Sequence, residues 1–492
     1  MKALAAYRLP ILLALSVALS ACAIGPDYQR PPLQTPTQFK QIAGWTQATP
    51  GDALERGNWW QLYGDGELNA LVKRLNISNQ NLAASEAQYR QARALVRGAR
   101  AALYPSLSSS AGASRSGQGA GSQGGFSANN SSAAGVSTGY DLGLNAAWEL
   151  DIWGKLRRSL ESSRAGFEAS AADLAALKLS LQSELVQNYL QLRVLDDQQR
   201  LLNATVAAYA RSLKLTQNQY NVGIVPKSDV SQALTQLKST QAQAIDLTWQ
   251  RAQLEHAIAV LIGVAPSALS IAVREQLPTL PEIPVALPSQ LLERRPDVAA
   301  AERRVMAANA DIGVAQAAWY PDLSIAASGG YRGSSFADWI NVPNRFWSLG
   351  PQLALTLFDG GVRSGVRSAE LERSEAAYDQ TVAQYRQAVL DSFREVEDSL
   401  VQLRVLQQEA LIQQDALDAA RESLRLIDNQ YRAGTVDFNA VVNVQATALN
   451  NERTNLSLLG SRLTASVQLI AALGGGWLSA DPQINGEWRA KP

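Results

Sequence analysis

The chain has 492 residues, 44 of them basic and 44 acidic, with a formal net charge of zero, one histidine and one cysteine. That balance argues against a nucleic-acid partner held by charge, and a lone cysteine excludes a disulfide framework. No apolar run after residue 22 reaches about 18 residues, so the mature chain has no transmembrane helix; if it crosses a membrane it must do so as a β-barrel.

Residues 1–21 read as an export signal. Lys2 and Arg8 give a basic start, Ile11 to Leu19 a short apolar core, and Leu19-Ser20-Ala21-Cys22 has the form of a lipobox. The pattern predicts cleavage before Cys22 and acylation of that residue (diacylglyceryl on sulfur, usually with a palmitate-type N-acyl chain). The rival reading is ordinary signal cleavage beside a chance cysteine. Several acyl chains anchor firmly where one is marginal. Ala at position 23, rather than Asp, favours the outer membrane in a Gram-negative cell.

Residues 22–65 are rich in Pro, Gln and Trp and read as an irregular N-terminal segment. Leu68 to Leu103 reads as one helix, with Leu68, Leu71, Leu75, Leu82 and Tyr89 roughly on one face. Strands are predicted at about 106–113 and 140–150. In the second, Leu142, Leu144, Ala146, Trp148 and Leu150 alternate with Gly143, Asn145, Ala147 and Glu149. The Gly/Ser-rich stretch 114–139 between them reads as a flexible loop. A helical tract without Gly or Pro runs from Phe167 to Val222, with Leu174, Leu181, Leu195 and Leu202 at multiples of seven. A Gly223–Pro226 turn follows, then a helix over 229–262 and a Pro-rich linker over 264–296.

The second half repeats the first. Tyr104-Pro105 returns as Tyr320-Pro321, 216 residues on (320 − 104), and Gln219-Tyr220 with Gly223 returns as Gln430-Tyr431 with Gly434, 211 on (430 − 219). A period this long is an internal duplication, not a solenoid. Repeats of 66–263 and 297–473 are expected, followed by a tail over 474–492. In the second repeat, helix is predicted over 297–319, 366–433 and 437–473, and strands at about 323–331 and 346–358. Tracts of about 60–70 residues would extend about 90–105 Å, and their near-heptad rows argue for coiled-coil packing. The signal peptide and the four interrupting strands argue against a cytoplasmic rod. The strands are apolar on one face and small or polar on the other, with aromatics near their ends, which is the pattern of a membrane barrel wall. A soluble four-stranded sheet packed on helices is the rival reading. Four strands cannot close alone, whereas three chains would supply twelve.

Several motifs resemble one family. Cys22-Ala23-Ile24-Gly25-Pro26-Asp27-Tyr28, Trp59-Trp60-Gln61-Leu62-Tyr63, Arg294-Arg295-Pro296-Asp297-Val298 running on to Trp319-Tyr320-Pro321, and Gly474-Gly475-Gly476-Trp477 occur in order. Together they resemble the outer-membrane efflux proteins of the TolC/OprM type, in the NodT-like lipoprotein branch. The resemblance implies a mostly α homotrimer. A duplicated long-helix tunnel would reach into the periplasm and a twelve-stranded barrel would lie in outer-membrane lipid. Linker and termini would form an equatorial region. It also implies a periplasmic adaptor and an inner-membrane transporter of the proton-driven RND type, with drugs, antibiotics or other small molecules as cargo.

The resemblance places the adaptor-docking turns at Val222-Gly223-Ile224 and Ala433-Gly434-Thr435. It carries over a periplasmic gate of Asp229 and Tyr431, with Asn443 at a position where a carboxylate can ring the constriction and Asn439 at the position one turn earlier. Val436 stands where an arginine can share the gate link, and Asn443 puts strong cation binding at the entrance in doubt. Asp229 has a plainer reading as a helix N-cap after Pro226, with Ser228 competing. No catalytic residue, metal site or cofactor is expected: His256 is a lone helical histidine, and no H-E-x-x-H or P-loop pattern occurs. Two other readings remain, a channel for protein or oligosaccharide secretion and a non-conducting periplasmic scaffold lipoprotein.

Overall fold

The structure is a computed structural model that describes residues 23–33, 36, 38–40, 56–117, 136–274, 279–281, 283, 295–361 and 365–475. The lipobox with Cys22, residues 118–135, about half of the linker (275–278, 282 and 284–294) and the tail beyond 475 lie outside the described residues. Chain order is α1 (Gly66–Ser78), α2 (Gln80–Ala101), β1 (Ser106–Gly117), β2 (Val136–Leu150), α3 (Lys155–Asn221) and α4 (Lys227–Leu261). Then follow α5 (Pro296–Ala317), β3 (Asp322–Gly333), β4 (Arg345–Ala354), α6 (Gly365–Arg432) and α7 (Phe438–Ala472). Each half thus supplies helix, two strands, a very long helix and a shorter one. The 67 residues of α3 and 68 of α6 make each about 100 Å long. Among the described residues, no helix is long and apolar enough to cross a membrane.

Two compact units emerge, and each is described by itself. The first contains the strands, which form one antiparallel sheet in the order β1-β2-β3-β4. Register assigns the faces. Leu107 pairs with Ala146, Ala146 with Ala327 and Ala327 with Leu349, so these four share one side. With them lie Leu142, Leu144, Trp148, Ile325, Trp347 and Leu353. The opposite side carries Ser108, Ser110, Asn145, Ser328, Ser348 and Gln352, and the Ser328 and Ser348 hydroxyls bond at 2.7 Å. The alternation predicted for β2 and β4 therefore extends across all four strands.

The first unit also holds residues 23–31. The Ile24 N–H donates to the Trp153 carbonyl at 3.0 Å. Arg158 donates to the carbonyls of Ile24 and Gly25 and pairs with Asp27 at 2.9 Å. Gly25 has φ +104°, and a Cβ there would lie 2.5 Å from the Gly313 Cα, so the motif needs glycine on both sides of this contact.

The second unit has the larger core. Trp59, Trp60 and Tyr63 of the Trp-Trp-Gln-Leu-Tyr motif are buried with Leu68, Leu185 and Val467, and the Tyr63 and Ser466 hydroxyls bond at 2.7 Å. Arg193 is buried and multiply held: it donates to Tyr189, pairs with Glu67 at 2.7 Å and Asp196 at 3.1 Å, and reaches the Ala272 carbonyl at 2.6 Å. Arg251 pairs with the same Asp196 and donates to the Ile271 carbonyl, so two arginines pin the start of the linker. Arg295, from the Arg-Arg-Pro-Asp motif, pairs with Asp297 and Glu395, both at 2.6 Å, as Pro296 opens α5. These motifs organise structure.

Several boundaries differ from the sequence expectation. The single helix expected over 68–103 is broken at Asn79, whose backbone is extended (φ −67°, ψ 126°). The Asn79 side chain accepts from Leu82 N–H at 2.9 Å and donates to the Leu261 carbonyl at 2.7 Å, an N-cap tied to a distant helix end. The long helix begins at Lys155, not Phe167, because Asp151 accepts from the N–H groups of Leu156 and Arg157 and Gly166 is accommodated inside. Ser114–Gly117 and Val136–Gly139, expected as loop, are paired strand. A ladder bonds backbone to backbone and does not need apolar side chains. The fourth strand ends at Ala354, so Leu355 to Phe358 are not part of it.

Candidate functional site

Two features stand out, the pair of helical turns in the second unit and the two-faced sheet of the first. The turns repeat each other in detail. Gly223 has φ +76° and Gly434 +74°, the left-handed region that glycine enters without strain. The Ile224 N–H donates to the Gln219 carbonyl at 2.9 Å, and the Thr435 N–H to the Gln430 carbonyl at 3.0 Å. These are the 6→1 bonds of a Schellman ending, with the 5→2 partners from Gly223 to Tyr220 and from Gly434 to Tyr431. Val222 and Ile224 are exposed beside the first turn, 71% and 70% accessible, although a turn tip is ordinarily polar.

The side chains after the turns differ. Asp437 caps α7, accepting from the Ala440 N–H at 3.0 Å. Its counterpart 211 residues earlier is Pro226 (437 − 211), which caps α4 with no side-chain bond. Neither Asp229 nor Ser228 is the N-cap. Asp229 lies in the first turn of α4, half-buried, and accepts from the Ser228 hydroxyl at 3.1 Å.

Tyr431 is half-buried against an apolar cluster of Tyr209, Leu213, Leu237, Phe438 and Val441, with its ring 5.7 Å from that of Phe438. Within one chain its hydroxyl donates to Gln219 Oε1 at 2.9 Å, not to Asp229. Burial lifts this hydroxyl above its ordinary pKa; the Thr216 hydroxyl opposes the rise and the nearby Asp229 carboxylate adds to it. Asn439 is exposed and accepts from Gln232 Nε2 at 2.6 Å. Asn443 is exposed one turn further, its backbone carbonyl taking the Thr447 hydroxyl. Polar links from Gln219 and Thr216 to Tyr431 and from Gln232 to Asn439 therefore join the halves here. Sequence reasoning misses both glutamines as partners of Tyr431 and Asn439, although Gln219 lies in the repeated Gln-Tyr motif that could have flagged it.

The sheet is the second feature. Its strands of 12, 15, 12 and 10 residues meet or exceed the roughly 9–11 needed to cross a bilayer when tilted. All four connections to helices leave from one end, and the strand ends Gly117, Val136, Gly333 and Arg345 lie at the other. Leu107, Trp347, Leu349 and Leu353 are all mostly exposed in the chain. Among the described residues, β1 and β4 each have a single strand partner, so both outer edges are open.

Comparison with known proteins agrees with this architecture. A family model described as "outer membrane efflux protein" matches residues 71–264 and 287–475. The chain is 32% identical to the pyoverdine export outer membrane protein OpmQ of Pseudomonas aeruginosa over 471 residues, 95% of this chain and 97% of that one. It is 28% identical to the cation efflux system protein CusC of Escherichia coli O6:H1, over 95% of this chain and 98% of CusC. Among solved structures, the outer-membrane channel OprN superposes with a TM-score of 0.84 at 30% identity, covering 93% of this chain and all of that one.

Proposed function

The chain belongs to the outer membrane efflux protein family, and from that premise we propose that it is the exit duct for small molecules, held shut at its helical tip by polar links between the duplicated turns. It is an outer-membrane efflux channel, and channels of this family work as trimers with an adaptor and an inner-membrane pump. For this chain the pump is proposed to be a proton-driven transporter, reached through a periplasmic adaptor that packs on the turns. The exposed Val222 and Ile224 support that docking role, since two aliphatic side chains at a helical tip are best covered by a partner.

The cargo is proposed to be small. The relatives named above are described as serving pyoverdine export and cation efflux, and neither name is that of a protein cargo. Asn439 and Asn443 add no charge to the constriction, so these two positions select weakly by charge and leave selection to the pump.

Cys22 is proposed to carry lipid. Ala23, the next residue, packs on Gly154, where a Cβ would lie 2.8 Å from the Ala23 Cα. Gly154 follows Trp153 just past the helical end of β2. An acyl chain starting there would enter the bilayer beside the apolar sheet face.

The observation that carries the gate is the asymmetry after the turns. The second-half helix uses its aspartate as a cap; Asp229 makes no such bond and lies close to Tyr431. In a closed ring, the Gln219–Tyr431 and Gln232–Asn439 links would brace each chain, and the Asp229 carboxylate would reach a neighbouring copy. A hydrogen bond to a charged group is worth about 1.5–3 kcal/mol, and threefold symmetry multiplies it. Asp229→Ala and Tyr431→Phe are expected to raise single-channel conductance in planar bilayers while leaving the trimer intact. If Asp229→Ala trimers conduct as the parent does, the gate lies elsewhere. Parent trimers that never conduct would mark a scaffold instead of a channel.

A further inference from the structure

The apolar face of the sheet ends differently at its two ends. At the helical end its last residues are Leu107, Leu150, Leu323 and Leu353. At the hairpin end it carries two arginines, Arg345 on β4 and Arg115 on β1, the only charged residues on that face among the described strands. Arg345 pairs in register with Tyr331, and Tyr331 with Leu142. Both arginines are exposed, and no carboxylate of the described chain pairs with them.

Beside Arg345 the β3–β4 connection folds back over the same face. Trp339 lies on Gly333, where a Cβ would come within 2.9 Å of its backbone, so only glycine admits the loop so close. The Phe336 and Trp339 rings then pack on Tyr140, with centroids 5.4 and 6.1 Å away. Phe336 remains 71% exposed and Ile340 55%, so the loop forms an aromatic ledge whose outer surface is apolar and uncovered.

An arginine at the edge of a lipid-facing wall, under an aromatic ledge, matches a lipid with phosphate at the level of the ledge and acyl chains below it. The guanidinium offers forked donors to phosphate, its stem runs along apolar surface, and aromatic rings settle at the headgroup layer. We propose that the hairpin end of this face binds the phosphorylated glycolipid (lipid A) of the outer leaflet. Arg345 and Arg115 would take phosphate, and the Phe336/Trp339 ledge would rest on the upper acyl chain. The inference rests on the channel reading above, because only with the helices in the periplasm does this end lie in the outer leaflet.

The test uses the purified full-length trimer in detergent, incubated with lipid A carrying both phosphates or with its dephosphorylated form. Bound lipid is counted by native mass spectrometry. The parent is expected to retain bisphosphorylated lipid A about tenfold better than Arg345→Gln/Arg115→Gln, about 1.4 kcal/mol, with no difference for the dephosphorylated form. Arg345→Lys/Arg115→Lys is expected to fall between, since it keeps charge without the fork. Phe336→Ala/Trp339→Ala is expected to lower retention of both forms. Equal retention by the parent and the glutamine variant, or equal loss of both lipid forms in that variant, overturns the proposal. Conductance of the same samples in planar bilayers separates the two readings. Conducting trimers with indifferent lipid binding overturn the lipid site alone, whereas an absence of trimers or conductance overturns the channel reading.

Discussion

Asp65 shows how much one side chain can hold. It caps α1 by accepting from the N–H groups of Glu67 and Leu68, takes the Tyr189 hydroxyl at 2.6 Å, and pairs with Arg274 at 3.3 Å. Burial pushes its carboxyl up, but the Tyr189 hydroxyl, the two N–H groups and Arg274 together hold it below the usual carboxylate range. A depressed pKa in the folded state contributes stability that is present above the unfolded value, about 3.9, and lost as pH falls through the folded value. Asp65→Asn is therefore expected to lower the melting temperature at pH 7 and to flatten its decline in acid. A melting curve series from about pH 7 to about pH 3 checks this, and a variant with an unchanged acid limb would remove Asp65 from the account. Asp65→Ala, which also removes the cap, should cost a further ~0.5–2 kcal/mol.

Among the elements, the sheet makes the sharpest claim, because strand phase decides which side meets lipid. Leu349 lies on the apolar face in register with Ala327, Ala146 and, through it, Leu107. Its neighbour Ser348 points the other way, bonded to Ser328. Leu349→Arg is expected to cost about 2–4 kcal/mol per chain if it lies near mid-bilayer, and Ser348→Arg much less, since that side faces the lumen. Heat-modifiability on gels and trimer yield from the outer membrane measure both. Equal tolerance at the two positions would reverse the assigned faces. The long helices carry a different lesson. From Leu185 to Asp197 nearly every residue of α3 is buried or half-buried, which explains why its heptad rows are interrupted there. A helix enclosed on all sides has no single seam.

For the whole molecule, the open edges of β1 and β4 decide the assembly. A bilayer core cannot hydrate an unpaired strand edge, so each edge must find another strand. Four strands are too few to close a barrel, and twelve from three chains suffice. The purified protein is expected to have a native mass of three chains, each bearing lipid on Cys22. A mass equal to one chain would refute the trimer, and an unmodified Cys22 within a longer mature chain would refute the anchor. Cys22→Ser is expected to weaken sorting to the membrane without abolishing assembly, since the sheet presents its own apolar band.

Local rules make part of this protein legible in the amino-acid sequence by itself. The duplication, the Gly223 and Gly434 turns, and the alternation of β2 and β4 follow from glycine's freedom at positive φ and from side-chain periods of 3.6 and 2. Tertiary structure decided what depends on residues far apart in sequence. The break at Asn79 required the Leu261 carbonyl, 182 positions away, as a partner. The strand character of Ser114–Gly117 required Val136–Gly139 opposite, since residues with little strand preference of their own pair only when a ladder is offered. At the helical tip, the Gln219–Tyr431 and Gln232–Asn439 links arose because packing brings together positions 212 and 207 residues apart, a proximity that no local pattern encodes.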